Sequence, residues 1–225
     1  VICLQSTMIT MNNTKSIPID DLVCMHDAAD HYNYRIDLAY AHADNLLFAE
    51  QIYKSNARLW LHKTLAEIVC RAAKHCFNTH NARFILYDGL RTTNAQEKMM
   101  RTKRARENPH WIQEPRMLST PGTGGHPRGM AIDIGLETLE GELIDMGTPF
   151  DSMTKEAHRA YNHPEHIKKN RAILDESMTS AAKPSKTPLH LLSEEWWDFR
   201  LPANVYTEYA PLSDDNLPAH MRLIK

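Results

Sequence analysis

The chain has 225 residues, with Lys+Arg 26 against Asp+Glu 28 and a formal net charge of −2. That length suits one large domain or two small ones and buries a core without disulfides or a structural metal. Hydrophobic residues at 42% and charged residues at 24% exclude a disordered or collagen-like chain. Balanced charge supplies no bulk field for nucleic acid or anionic membrane, and no apolar run approaches the ~20 residues of a membrane span. The 13 histidines point toward metal or proton chemistry.

Residues 1–16 are polar and irregular and read as a flexible N-terminal arm. No repeat, low-complexity stretch or rich linker divides the rest of the chain, so residues 17–225 are expected to form one domain. Arg35–Tyr40 alternates polar and apolar and predicts a half-buried strand. From Asn56 to Cys76 the positions Leu61, Leu65, Ile68, Val69, Ala72 and Cys76 follow helical spacing. Arg83–Tyr87 is a short apolar strand stopped by Asp88-Gly89.

Thr93 with Gln96 resembles a capping box that opens a helix through Glu107, which Pro109 ends. Its basic residues, Lys98 to Arg106, lack interleaved aromatics and read as a solvated face rather than a nucleic-acid patch. A Gly-rich loop at 121–125 precedes a strand at Met130–Leu136. A helix at Glu165–Met178, a surface loop at Lys183–Pro188 and an aromatic strand at Glu194–Phe199 complete the series. Strands and helices without regular βαβ alternation indicate the α+β class.

Cys3, Cys24, Cys70 and Cys76 form no CxxC and read as free structural thiols, which leans toward a reducing compartment. The chain opens Val1-Ile2-Cys3-Leu4 without the charged-then-apolar pattern of a secretory signal. The expected location is cytoplasmic, or periplasmic if an upstream signal has been removed.

The strongest local signal is His126-Pro127-Arg128-Gly129-Met130-Ala131-Ile132-Asp133. A histidine in a Gly-rich loop precedes an aspartate on the next strand; both are zinc ligand types, and the glycine lets the loop fold back. Alone, this spacing is weak. Three further stretches make it specific: Tyr87-Asp88-Gly89-Leu90-Arg91, Asp145-Met146-Gly147-Thr148-Pro149-Phe150-Asp151, and Glu194-Glu195-Trp196-Trp197-Asp198-Phe199.

In this order, from about Asp37 to Phe199, the motifs resemble the zinc D-alanyl-D-alanine dipeptidases of the vancomycin-resistance type. Their wider group includes D,D-carboxypeptidases, phage endolysin endopeptidases and the hedgehog signalling domain. The resemblance implies a hedgehog/D,D-peptidase-like fold, with a central, mainly antiparallel sheet flanked by helices. It also implies one Zn2+ per chain and a small D,D-dipeptide or muropeptide substrate, in a monomer or homodimer. His126 and Asp133 match zinc ligands, Glu195 the catalytic base, Arg91 the arginine that meets the developing oxyanion, and Asp151 the carboxylate for the substrate's free amine. Trp197, with Trp196, reads as packing that shapes the site, and Gly125 stands where a serine hydroxyl in relatives could bind substrate.

The family pattern closes with Glu-Trp-Trp-His, whereas here Asp198 stands at the third ligand position. A second carboxylate ligand would cancel the formal charge of the ion and make it a weaker Lewis acid. Gly124-Gly125 stand where relatives often carry serine. The implied activity is hydrolysis of D-Ala-D-Ala or a similar dipeptide in peptidoglycan metabolism. The alternatives are a D,D-carboxypeptidase or muropeptide peptidase, or a silenced peptide-binding relative. Asp198 favours the silenced relative, while intact Glu195 and Arg91 argue against it.

Overall fold

The computed structural model describes residues 14–113 and 118–224. In chain order its elements are β1 (Leu22–Cys24), α1 (Ala29–Tyr32), β2 (Tyr34–Ile36), β3 (Trp60–His62), α2 (Lys63–His80) and β4 (Ala82–Asp88). Then come α3 (Thr93–Met100), α4 (Lys103–Glu107), β5 (Ala131–Thr138), α5 (Glu165–Ala182), β6 (His190–Leu191), β7 (Asp198–Arg200) and α6 (Ala203–Tyr206).

Five strands form one sheet in the order β2-β4-β5-β7-β6. Only the β2–β4 pairing is parallel; the other three are antiparallel, as the mainly antiparallel expectation requires. β1 and β3 make a separate antiparallel pair. β5 is buried on both faces as far as Glu137, so it reads as a continuous apolar run rather than an alternation. Helix α2 packs on β4 and on α5 through the stripe Leu65, Ile68, Val69, Ala72 and Cys76. Glu137, fully buried at the far end of β5, is held by Arg35 Nε of β2 at 2.9 Å and Arg83 Nε of the adjacent β4 at 2.6 Å.

Several boundaries differ from expectation, each for a local reason. The helix expected from Asn56 begins at Lys63, because Trp60–His62 is spent pairing with β1 and His62 Nδ1 caps the helix at Thr64 N. The strand expected through Tyr40 ends at Ile36, and residues 39–41 turn as a 3-10 helix that carries Tyr40 inward. Thr92, not Thr93, caps α3 through Ala95 N, and Thr102 caps a new start at Ala105 N, so the single helix through Glu107 is two. The helix expected to end at Met178 runs to Ala182, where Lys183-Pro184 stops it. The final strand is Asp198–Arg200; residues 193–194 and 196–197 are turns.

Of the expected N-terminal arm, residues 1–13 lie outside the described part. Lys15 pairs through its backbone with Glu208 and Ala210. Cys24, Cys70 and Cys76 are free and buried, as expected; Cys3 lies outside the described residues. The basic face of α3 and α4 is occupied locally: Lys98 caps Ile52 O at 2.8 Å, Arg104 caps Leu46 O, and Arg101 pairs with Glu97. Among the described residues no helix is long and apolar enough to cross a membrane.

The loop that carries Asp151 is pinned from α5. Arg171, buried, donates to Met146 O at 2.9 Å, His158 O at 2.9 Å and Glu156 O at 2.8 Å. Arg171→Met removes the donors from three carbonyls at once and is expected to cost roughly 3 kcal/mol. Chemical denaturation would read this as a lower midpoint at unchanged slope; an unchanged midpoint would show that the loop needs no such pin.

Candidate metal centre and active site

Strand register builds the site. Asp88 on β4 stands opposite Asp133 on β5, and Asp133 stands opposite Asp198 on β7, so three adjacent central strands present a row of aspartates. All three are buried, at 0%, 2% and 0% exposure. Buried carboxylates are stable only when hydrogen bonds or cations compensate them.

His126 enters from the 3-10 turn His126–Arg128, which Gly129 ends in the left-handed region at φ 63°. A Cβ on Gly129 would come within 2.9 Å of His62 N, so glycine is required on both counts. Nδ1 of His126 donates to Gly89 O at 2.8 Å, since a carbonyl can only accept. That fixes the tautomer and turns the Nε2 lone pair toward Asp198 Oδ2 at 3.3 Å and Asp133 Oδ1 at 3.5 Å.

Three acceptors therefore converge, and Asp133 Oδ1 is a buried oxygen without a hydrogen-bond donor. Such a convergence calls for a cation: a proton on Nε2 or a metal ion. Burial opposes the imidazolium, but Asp133 and Asp198 outweigh it and push His126 up to about 10. Asp133, Asp198 and Glu195 offer oxygens within 4.8 Å of one another, and so do the ligand atoms of Asp88, His126 and Asp133. One nitrogen and several carboxylate oxygens form a donor set that suits a divalent ion such as zinc.

Asp88 is already committed elsewhere. Its Oδ1 accepts from Tyr53 OH at 2.8 Å, and its Oδ2 takes Arg91 Nη2 at 2.6 Å and Nε at 2.8 Å. It lies on the Nδ1 side of His126, at 3.6 Å, away from the converging acceptors. Asp88 thus orients Arg91, whose Nη2 reaches to 3.6 Å from Asp133 Oδ2 and whose Nη1 meets Gln96 Oε1 at 3.3 Å.

Arg200 grips Asp198 with two nitrogens: Nε donates to Oδ1 at 2.7 Å and Nη2 to Oδ2. Burial would raise Asp198, yet Arg200 and His126 hold it far below the usual carboxylate range. Glu195, half-buried between the two adjoining turns, is pushed upward by burial and by the charges of Asp198 and Asp133.

Tyr40 links this cluster to Asp151. The Arg91 guanidinium lies 5.2 Å from the centre of its ring, and its hydroxyl donates to Asp151 Oδ2 at 3.0 Å. Burial raises Asp151 to about 7, although Arg91 works against that. Trp197 is 2% exposed and packs edge-on against Phe150 at 5.4 Å, with Trp196 beside it at 5.3 Å. Gly125 packs so closely on Met130 O that a Cβ would come within 2.8 Å. A cavity of about 340 Å³ adjoins Asp151 and Phe150.

His126, Asp133, Asp198, Glu195 and Arg91 come together at one place, with Asp151 beyond Tyr40 and the buried Trp197 packed on Phe150. Sequence reasoning assigned no role to Tyr40 or Tyr53. Nor did it single out Arg200, although the alternation of a strand places that residue on the same face as Asp198.

Fold and centre together define a metallopeptidase of the α+β, hedgehog/D,D-peptidase type. The model of peptidase family M15, described as D-ala-D-ala dipeptidase, matches residues 23–214, and the chain belongs to this family. It is 31% identical over 169 residues to a D-alanyl-D-alanine dipeptidase of Escherichia coli strain K12, covering 74% of this chain and 78% of that protein. It is 30% identical over 154 residues to a D-alanyl-D-alanine dipeptidase of Enterococcus faecium, covering 61% of this chain and 70% of that one. Among solved structures, the L-Ala D-Glu endopeptidase of Serratia marcescens aligns with a TM-score of 0.38 at 15% identity, over 65% of this chain and 84% of that chain.

Proposed function

We propose that this chain hydrolyses D-Ala-D-Ala or a closely similar D-amino-acid dipeptide in peptidoglycan metabolism, with one Zn2+ held by His126, Asp133 and Asp198. The observation that carries the reading is the convergence of His126 Nε2, Asp133 Oδ1 and Asp198 Oδ2 beside Glu195 and Arg91. Bound zinc supplies a Lewis acid that makes water acidic near neutral pH.

The chain's own groups do the rest. Glu195 accepts a proton from the attacking water and returns it to the leaving amine, its carboxylate lying beside the ligand oxygens of Asp133 and Asp198. Arg91, held rigid by Asp88, presents a guanidinium where negative charge grows on the scissile carbonyl. Asp151 receives the free ammonium of the substrate, and Phe150, backed by Trp197, walls the space around it. Gly125 keeps the loop before His126 close to the strand. Cys24, Cys70 and Cys76, free and buried, suit action in the cytoplasm.

The test is metal content and turnover on one purified sample. One zinc per chain, D-Ala-D-Ala turnover abolished by a chelator and restored by added zinc, and at least 100-fold slower cleavage of the N-acetylated dipeptide are expected. Preferential cleavage of the N-blocked peptide would instead identify a carboxypeptidase or muropeptide peptidase. Metal-free protein without turnover would leave a peptide-binding relative.

A further inference from the structure

We infer that Asp198 and Arg200 act as one electrically neutral ligand unit, in which Arg200 is a positioning residue that sets both the charge and the direction of the third ligating carboxylate. This rests on reading His126, Asp133 and Asp198 as a zinc site.

The two residues lie two apart on β7, and β7 pairs with β5 so that Asp198 faces Asp133 and Arg200 faces Ala131. Alternate residues of a strand share a face, so the arginine is built into the same strand as its carboxylate. The contact is a fork: Nε to Oδ1 at 2.7 Å and Nη2 to Oδ2. A two-point grip of this kind fixes the carboxylate plane, which one-point contact from an ammonium would not. Asp198 is fully buried, and the Arg200 side chain is only 16% exposed. Oδ2 remains 3.3 Å from His126 Nε2, so the grip leaves that oxygen facing the converging acceptors.

The charge arithmetic follows from the fork. Taken alone, two aspartates and a neutral histidine carry two negative charges. With the Arg200 charge in direct contact, the set carries one, as two neutral imidazoles and one carboxylate would. The weakened Lewis acid expected from Asp198 alone is therefore offset inside the same strand. A corollary is that the ligand cannot be exchanged by itself. Asp198→His would leave the Arg200 guanidinium buried, without its carboxylate, and facing the bound cation.

The zinc affinities of one single and one double variant, read by competition with a chromophoric chelator, test this. Asp198→His is expected to bind zinc at least tenfold more weakly than the wild type. Asp198→His with Arg200→Leu is expected to recover to within about threefold of the wild type. Thermal unfolding of the chelated proteins is followed in parallel. Should the single variant not fold, the double variant decides, because it buries no unpaired charge. Folded and zinc-binding, it supports the unit; unfolded or zinc-free, it overturns it. Wild-type affinity in Asp198→His would also overturn it. Wild-type protein that takes up no zinc would remove the metal-site reading and the inference together, whereas wild-type zinc uptake with a double variant that binds no tighter than Asp198→His removes the inference alone.

Discussion

Glu195→Gln is expected to lower kcat on D-Ala-D-Ala by about 10³-fold while zinc content stays at the wild-type level. The two side chains have the same shape, so the pocket is not reshaped. What is lost is the ability to take a proton from water and give it back. Glu195 sits within 4.8 Å of Asp133 and Asp198 through their ligand oxygens, and burial together with those charges raises its proton affinity. Glutamine is neutral at every pH and has no ionised form to disfavour beside Asp133 and Asp198, so the variant should be no less stable than the wild type. Loss of turnover with retained stability and retained zinc separates a proton-transfer role from a structural one. A drop of less than tenfold would mean that another group serves as the base.

Asp151→Asn is expected to move stability and activity in opposite directions. Asp151 is buried and has a left-handed backbone at φ 66°, which asparagine tolerates well. Burial raises its carboxyl to about 7. The sign follows from linkage: the fold favours the protonated form, so ionisation costs stability above pH 7, and that cost vanishes as pH falls through 7 toward the unfolded value near 4. The bound on this cost at pH 8 is roughly 4 kcal/mol. With relaxation of the surroundings, a gain of about 2 kcal/mol is expected for the chelated variant at that pH, shrinking to nothing near pH 4. Asparagine still accepts the hydrogen bond from Tyr40 but offers no charge to the substrate ammonium. The fall expected in kcat/KM for the free dipeptide is therefore about 10²- to 10³-fold, carried mainly by KM. Denaturation curves at pH 8 and pH 4 beside steady-state kinetics check both halves. Loss of stability together with activity would make Asp151 a structural residue.

The parts of the site legible in the sequence are those whose geometry is local. His126 and Asp133 are joined by a single tight turn and the start of one strand, and Glu195 and Asp198 by one short turn, so spacing alone keeps each pair close. The helices were legible for the same reason, since apolar residues every three or four positions fall on one face. Their ends were less so. Thr92 and Thr93 are both cap-forming residues, and what selects Thr92 is partly its hydroxyl bond to Asp214, a residue far away in the chain.

From sequence by itself came the α+β class, the core helix and strand, and the acidic and imidazole groups that carry the chemistry, because these depend on periodicity and short-range spacing. Tertiary structure alone decided what each of those groups touches. Tyr40 meets Asp151 across 111 residues, Asp88 meets Asp133 only through the β4–β5 register, and His126 reaches Asp198 across 72 residues. The meaning of Asp198 changed most: alone it is an extra negative charge, and beside Arg200 it is half of a neutral pair. The physical reason is that charge in a buried site is a property of contacts, and contacts between distant residues are set by strand register, which no local spacing encodes.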